Sequence, residues 1–251
     1  MSPARIREWK VSLGVAAALT LLSCGITDSG KQSARIVLDV RSLLGAEQGD
    51  YTTVAERVDL SITSGGEVQT QSQALPEAES SASFDVEVNT GSVTFAAGVV
   101  SNDGTTTLYQ GTTTTTIEED GFQVTVPMVA VSPVLLLEPR VGTFVRDTLE
   151  SDSRLFLGFM RVRNPGLDSL RWSADPQVPL PPGVTTFCRL PQHDGVSCNV
   201  ERATAGGESE IIELFVDVPF GIPLPASVTL RILSRVGNLP VPATLPAPPP
   251  G

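Results

Sequence analysis

Ser83-Phe84-Asp85-Val86-Glu87-Val88-Asn89-Thr90-Gly91-Ser92-Val93-Thr94-Phe95-Ala96-Ala97 is the stretch that decides the fold. Phe84, Val86 and Val88 alternate with Asp85 and Glu87, and Val93, Phe95 and Ala97 follow the turn residues Asn89-Thr90-Gly91. In a strand every second side chain lies on the same face. Each run therefore offers one face to a core and one to water, and a helix would need its apolar residues three and four apart.

The same spacing extends in both directions. Upstream, Ile36, Leu38 and Val40 share a face, as do Val58, Leu60 and Ile62 before Ser64-Gly65-Gly66. Downstream, Asn102-Asp103-Gly104 turns the chain into Leu108 and Tyr109, and the β-branched tract Thr112 to Thr116 feeds Ile117. The acidic turn Glu118-Glu119-Asp120-Gly121, read as a solvated hairpin tip, leads to Phe122, Val124, Val126 and Met128. Residues 35–132 are expected to be a meander of short antiparallel strands packed as a sandwich. The segment Ser83 to Met128, with Leu108-Tyr109-Gln110-Gly111 and the closing Phe122-Gln123-Val124-Thr125-Val126, resembles the later part of immunoglobulin-like or transthyretin-like modules of bacterial surface lipoproteins. That resemblance implies a fold and no function.

Pro133 and Pro139 bracket Val134-Leu135-Leu136-Leu137, and a domain boundary is placed near Ser132. In 133–238 a strand made by Leu155, Leu157, Phe159 and Arg161, or by their alternates, ends at the turn Asn164-Pro165-Gly166, and Leu170-Arg171-Trp172 returns from it. Val184 to Arg189, Ile211 to Val218 and Val228 to Leu233 add further strands, with a long loop at Pro179, Pro181 and Pro182. Val162 to Trp172 resembles a strand-turn-strand of immunoglobulin-like domains of the ASH and BACON type. Residues 239–251 hold six prolines in 13 positions and are expected to be an extended, mobile tail outside any strand ladder. The fold class is thus all-β, two immunoglobulin-like antiparallel β-sandwich domains in tandem.

The N-terminus has a different layout. Arg5, Arg7 and Lys10 precede the uncharged run Val11 to Leu22, as in a secretory signal. Twelve residues as a helix reach about 18 Å, short of the roughly 30 Å hydrocarbon core of a bilayer. Leu21-Leu22-Ser23-Cys24 resembles the lipobox of bacterial lipoproteins, which implies cleavage after residue 23 and lipidation of Cys24 with fatty acyl chains such as palmitate. Gly25 stands where that family's inner-membrane retention signal has Asp, so the resemblance implies the outer membrane in a cell that has one. Residues 24–34, small and polar, are read as a flexible tether.

Charge and cysteines narrow the function. The first 23 residues hold three cations and one acid, so the remaining 228 carry 14 Lys and Arg against 27 acids, a balance that repels nucleic acid and anionic lipid. With Cys24 committed to lipid, Cys188 and Cys198 remain, and in an exported chain they are expected to pair. Free thiols are the alternative; a metal site adding His193, the only histidine, has no evident fourth ligand. No phosphate-binding loop, dinucleotide motif, zinc-protease motif or nucleophile elbow occurs. His193 is read as an exposed turn residue, and Asp147, Glu150 and Asp152 as a solvated acidic turn without the glycine and terminal glutamate of a calcium loop. Beyond the signal, Trp172, Tyr51 and Tyr109 are the only tryptophan and tyrosines, few for a sugar site, and the alternation pairs Trp172 with Leu170 in a core. The expectation is a non-catalytic cell-envelope lipoprotein without cofactor, acting as a structural or protein-interaction module toward another envelope protein. A glycan-binding lipoprotein is the alternative, and a carboxylate-dependent hydrolase the third.

Overall fold

Most residues of the alternating runs lie in strands. The structure, a computed structural model, describes residues 30–45, 50–75, 81–139, 142–149, 152–175, 180 and 182–246. The residues read as a signal segment, Cys24 and the last five residues lie outside them. The first part of the chain forms β1 (Lys31–Asp39), helix α1 (Val40–Leu44), β2 (Thr52–Thr53), β3 (Ala55–Ser64), β4 (Glu67–Ala74), β5 (Ser81–Asn89), β6 (Gly91–Ser101), β7 (Thr107–Ile117), β8 (Phe122–Thr125) and β9 (Met128–Ala130). Two sheets, ordered β5-β1-β8 and β4-β3-β6-β7-β9, face each other. Ile36, Phe84, Val86 and Val124 from one sheet and Leu60, Ile62, Phe95 and Leu108 from the other are buried in the core between them.

Three expectations for this part need correction. The strands are not a simple meander: β5 pairs with β1 and β6 with β3 and β7, so Asn89-Thr90-Gly91 is a corner between sheets. Val40, though buried, opens α1. Residues 31–34, read as part of a tether, belong to the fold, because β1 begins at Lys31 and Ala34 is buried in the core. Near the other end, the chain crosses from β8 to β9 at Val126-Pro127, exchanging sheets as it goes. Gly111 permits this, since a Cβ there would overlap the Pro127 carbonyl.

The second part forms β10 (Leu136–Glu138), β11 (Gly142–Leu149), β12 (Ser153–Arg163), β13 (Leu170–Asp175), β14 (Thr185–Leu190), a 3-10 turn (Pro191–His193), β15 (Val196–Ser197), β16 (Arg202–Thr204), β17 (Ser209–Pro219), β18 (Ser227–Ser234) and β19 (Leu239–Thr244). One face runs β15-β14-β17-β12-β11 and the other β11-β19-β18-β13-β16. Strand β11 joins both: its first residues lie parallel to β19, and the rest pair antiparallel with β12. In chain order these are the A-B-E-D and C-F-G sheets of an immunoglobulin-like sandwich, with the tryptophan of the third strand, Trp172, buried as that architecture has it. In β12 the alternates face inward: Phe156, Met160 and Val162 are buried.

The Pro-rich end is the largest correction. Leu239 to Thr244 pairs with β18 over six residues, and Leu239, Val241, Ala243 and Leu245 are buried. Pro240 and Pro242 fit because every second residue turns its N–H away from the neighbouring strand. They lie opposite Arg231 and Thr229, and the contact with β11 begins only at Ala243, so no ladder bond needs a proline N–H.

Candidate functional site

The site stands where the two sandwiches meet. Val134 to Leu137, which lead from β9 into β10, are fully buried, so the bracketed apolar run is core. Strand β10 pairs with β12 on one side and with β2, from the first part of the chain, on the other. Asn164 holds this junction. Its Oδ1 accepts from the Val134 and Gly166 N–H groups at 2.9 and 3.2 Å, and its Nδ2 donates to the Asp168 and Thr204 carbonyls at 2.8 and 3.0 Å. Its backbone closes on Glu208 and Gly207 as well. The side chain is wholly buried and all its hydrogen-bonding capacity is engaged. Gly166 is required beside it, because a Cβ would overlap the Ser132 carbonyl. Tyr109 donates to the Leu43 carbonyl at 3.2 Å with the Pro165 carbonyl 3.5 Å away across the junction, and burial raises its pKa.

Next to the junction lies an open cleft of about 670 Å³, whose walls include Glu138, Phe159, Arg161, Arg163, Ser209 and Ile211. Glu138 accepts from Arg163 at 2.9 Å and has Arg161 4.0 Å from its other oxygen. Glu138 thus sits between two guanidinium groups. From the cleft an apolar ledge runs over the outer face of β12, β17 and β14. Cross-strand neighbours share a face, and the register places Phe187 beside Phe215 and Leu157, and Arg189 beside Glu213 and Phe159. Phe187 stacks on Phe215 with ring centroids 4.6 Å apart, Arg189 covers the Phe215 ring at 4.7 Å, and its Nε donates to Glu213. Phe159 and Phe187 remain 51% and 48% exposed, and Ile211 37%. The arrangement offers flat apolar area rimmed by fixed charges, which suits docking of another surface.

The residues singled out in the sequence fall elsewhere. Cys188 and Cys198 form a disulfide with Cα atoms 5.6 Å apart, within the bridging range, so neither thiol is free for a metal. His193 is half-exposed in the 3-10 turn, its Nε2 3.5 Å from Glu210 Oε2. Glu210 in turn accepts from Thr204, whose hydroxyl accepts from the Trp172 indole N–H at 2.9 Å, so this polar chain serves the core. Glu150 lies outside the described residues, as does the side chain of Asp147; Asp152 is exposed, and its carbonyl accepts from Phe220 N–H. Asp120 does more than keep a tip wet, since its Oδ1 accepts from Ser33 N–H at 2.9 Å. Tyr51, Tyr109 and Trp172 are all buried. The exposed phenylalanines were missed in the sequence, yet parity could have found one: Cys188 must face inward to pair, so Phe187 faces out.

No protein-family model matches the chain, and no curated protein matches it. Among solved structures it is similar to the crystal structure of BcpA*(D312A), the major pilin subunit of Bacillus cereus, at 10% identity over 86% of this chain and 69% of that one, with a TM-score of 0.31. A superposition that loose carries no argument about what this chain does.

Proposed function

We propose that the chain is a lipid-anchored, non-catalytic module of the bacterial cell envelope that docks another envelope protein through the ledge of Phe159, Phe187 and Ile211 beside the junction cleft. The observation that carries this reading is the exposed, charge-rimmed apolar face; the anchor rests on the lipobox-like Leu21-Leu22-Ser23-Cys24. Labelling with a clickable fatty acid is expected to mark the wild type and spare Cys24→Ala; equal labelling of both overturns the anchor. Crosslinking in the native envelope is expected to recover a partner that Phe159→Asp with Phe187→Asp loses, and recovery of the same protein by that variant overturns the docking face. Glycan binding is the second reading, favoured by the exposed Phe187 ring beside Arg189. A folded protein that stays blank on a glycan array rules it out.

A further inference from the structure

Among the described residues, strand β4 is an unprotected sheet edge. It is the terminal strand of the five-stranded sheet, eight residues long, and runs in unbroken register along β3. Because the facing sheet has only three strands, β4 overhangs it: Val68 is 64% exposed, and Gln69 and Gln71 are exposed although they share a face with the buried Ile62 and Leu60. Natural proteins blunt such edges with shortness, charge, proline or a bulge. The chain does so elsewhere: β8, β9, β15 and β16 have two to four residues, and β5 carries Asp85 and Glu87. From Val68 to Ala74, β4 has no charge, no proline and no bulge.

We infer that β4 pairs antiparallel with β4 of a second copy of this chain. The two-residue turn at Gly65-Gly66, with both φ values positive, makes Ser64 and Glu67 a hydrogen-bonded pair. Alternation then directs the N–H and C=O of Val68, Thr70, Ser72 and Ala74 to the open edge. A two-fold axis at Gln71 sets Thr70 opposite Ser72, Gln69 opposite Gln73 and Val68 opposite Ala74. Glutamine amides both donate and accept, so identical rows complement each other. Two chains of net charge −11 repel, and they meet with least cost along this uncharged strand. The antiparallel sense also sends the two Glu67 carboxylates to opposite ends, whereas a parallel pair would abut them.

The test uses the full chain carrying Cys24→Ala, so that neither lipid nor that thiol can join two copies. Sedimentation velocity is expected to show a concentration-dependent dimer, weakened about tenfold or more by Thr70→Pro, which removes an outward N–H without touching a bond to β3. In the same background Gln71→Cys is expected to oxidise to a covalent dimer and Glu67→Cys to stay monomeric. A monomer at every concentration, a dimer indifferent to Thr70→Pro, or crosslinking through residue 67 in place of 71 overturns the inference.

Discussion

The two sandwiches solve the same problem by different means. The N-terminal one is built from strands that alternate cleanly, with Phe84, Val86 and Val88 inward and Asp85 and Glu87 outward, and its close approaches are met by glycine, as at Gly111. The C-terminal one uses devices that alternation does not describe: a wholly buried asparagine, a disulfide, an indole hydrogen-bonded to a buried threonine and a last strand containing two prolines. Apolar patterning suffices where each strand has one wet face. Where chain crossings bring backbone groups inside, as between Val134 and Asn164, specific polar partners become the condition for folding.

The contrast between the two sandwiches is largest at the C-terminus. Ending the chain after Asn238 removes the burial of Leu239, Val241 and Leu245, on the order of 5 kcal/mol. Amides of β13 and β18 are expected to lose their exchange protection, and unchanged protection would return the Pro-rich end to a dispensable tail. Next is Asn164→Ala, which leaves the Val134 N–H buried without its partner and takes one hydrogen bond from the Thr204 carbonyl. It is expected to cost about 4 kcal/mol in urea unfolding, and a loss below about 1 kcal/mol would mean that water replaces the side chain.

The first sandwich is sharpened by a pair of glycines. Gly111→Ala forces a Cβ onto the Pro127 carbonyl and is expected to cost about 2–3 kcal/mol. Gly91→Ala meets nothing within 4 Å and bears only the strain of its positive φ, about 1 kcal/mol. Equal costs for the two would remove the close approach as the reason for Gly111. The smallest effect is that of pH. Burial alone would raise the pKa of Asp103, but hydrogen bonds from Ser101, the Thr105 and Thr106 N–H groups and the Thr106 hydroxyl outweigh it and hold the carboxyl far below the usual range. With the folded pKa depressed, the turn is stabilised above the ordinary carboxylate value of about 3.9 and loses that contribution as pH falls below it. Asp103→Asn is expected to flatten part of the acid limb of a stability profile below about pH 4. An acid limb identical to the wild type would exclude this turn as its source.

How much of this was legible follows from the same contrast. Strands β5 and β6 could be read from period two, but their partnership could not, because a turn signal reports that the chain reverses and not which sheet receives it. Strand β4 was silent, being polar on both faces and lying beyond the cover of the opposite sheet. In the tail, Leu239, Val241, Ala243 and Leu245 do alternate, and the prolines hid a pattern that they obey by occupying positions with no ladder partner. At the site, the bridge between Cys188 and Cys198 was expected from an even pair of cysteines in a chain read as exported, and the structure has it. Asn164 looked like an ordinary turn residue, since its partners come from residues 134, 168 and 204 and only the assembled fold brings them together.

The buried junction is expected to make the two sandwiches one cooperative body. Native-state hydrogen exchange through a urea series tests it most directly by comparing the slowest amides of β6 with those of β17. In the wild type both sets are expected to lose protection along a single curve, and in Asn164→Ala along two. Separate curves in the wild type would contradict the claim, and the chain would then be two independent sandwiches in contact.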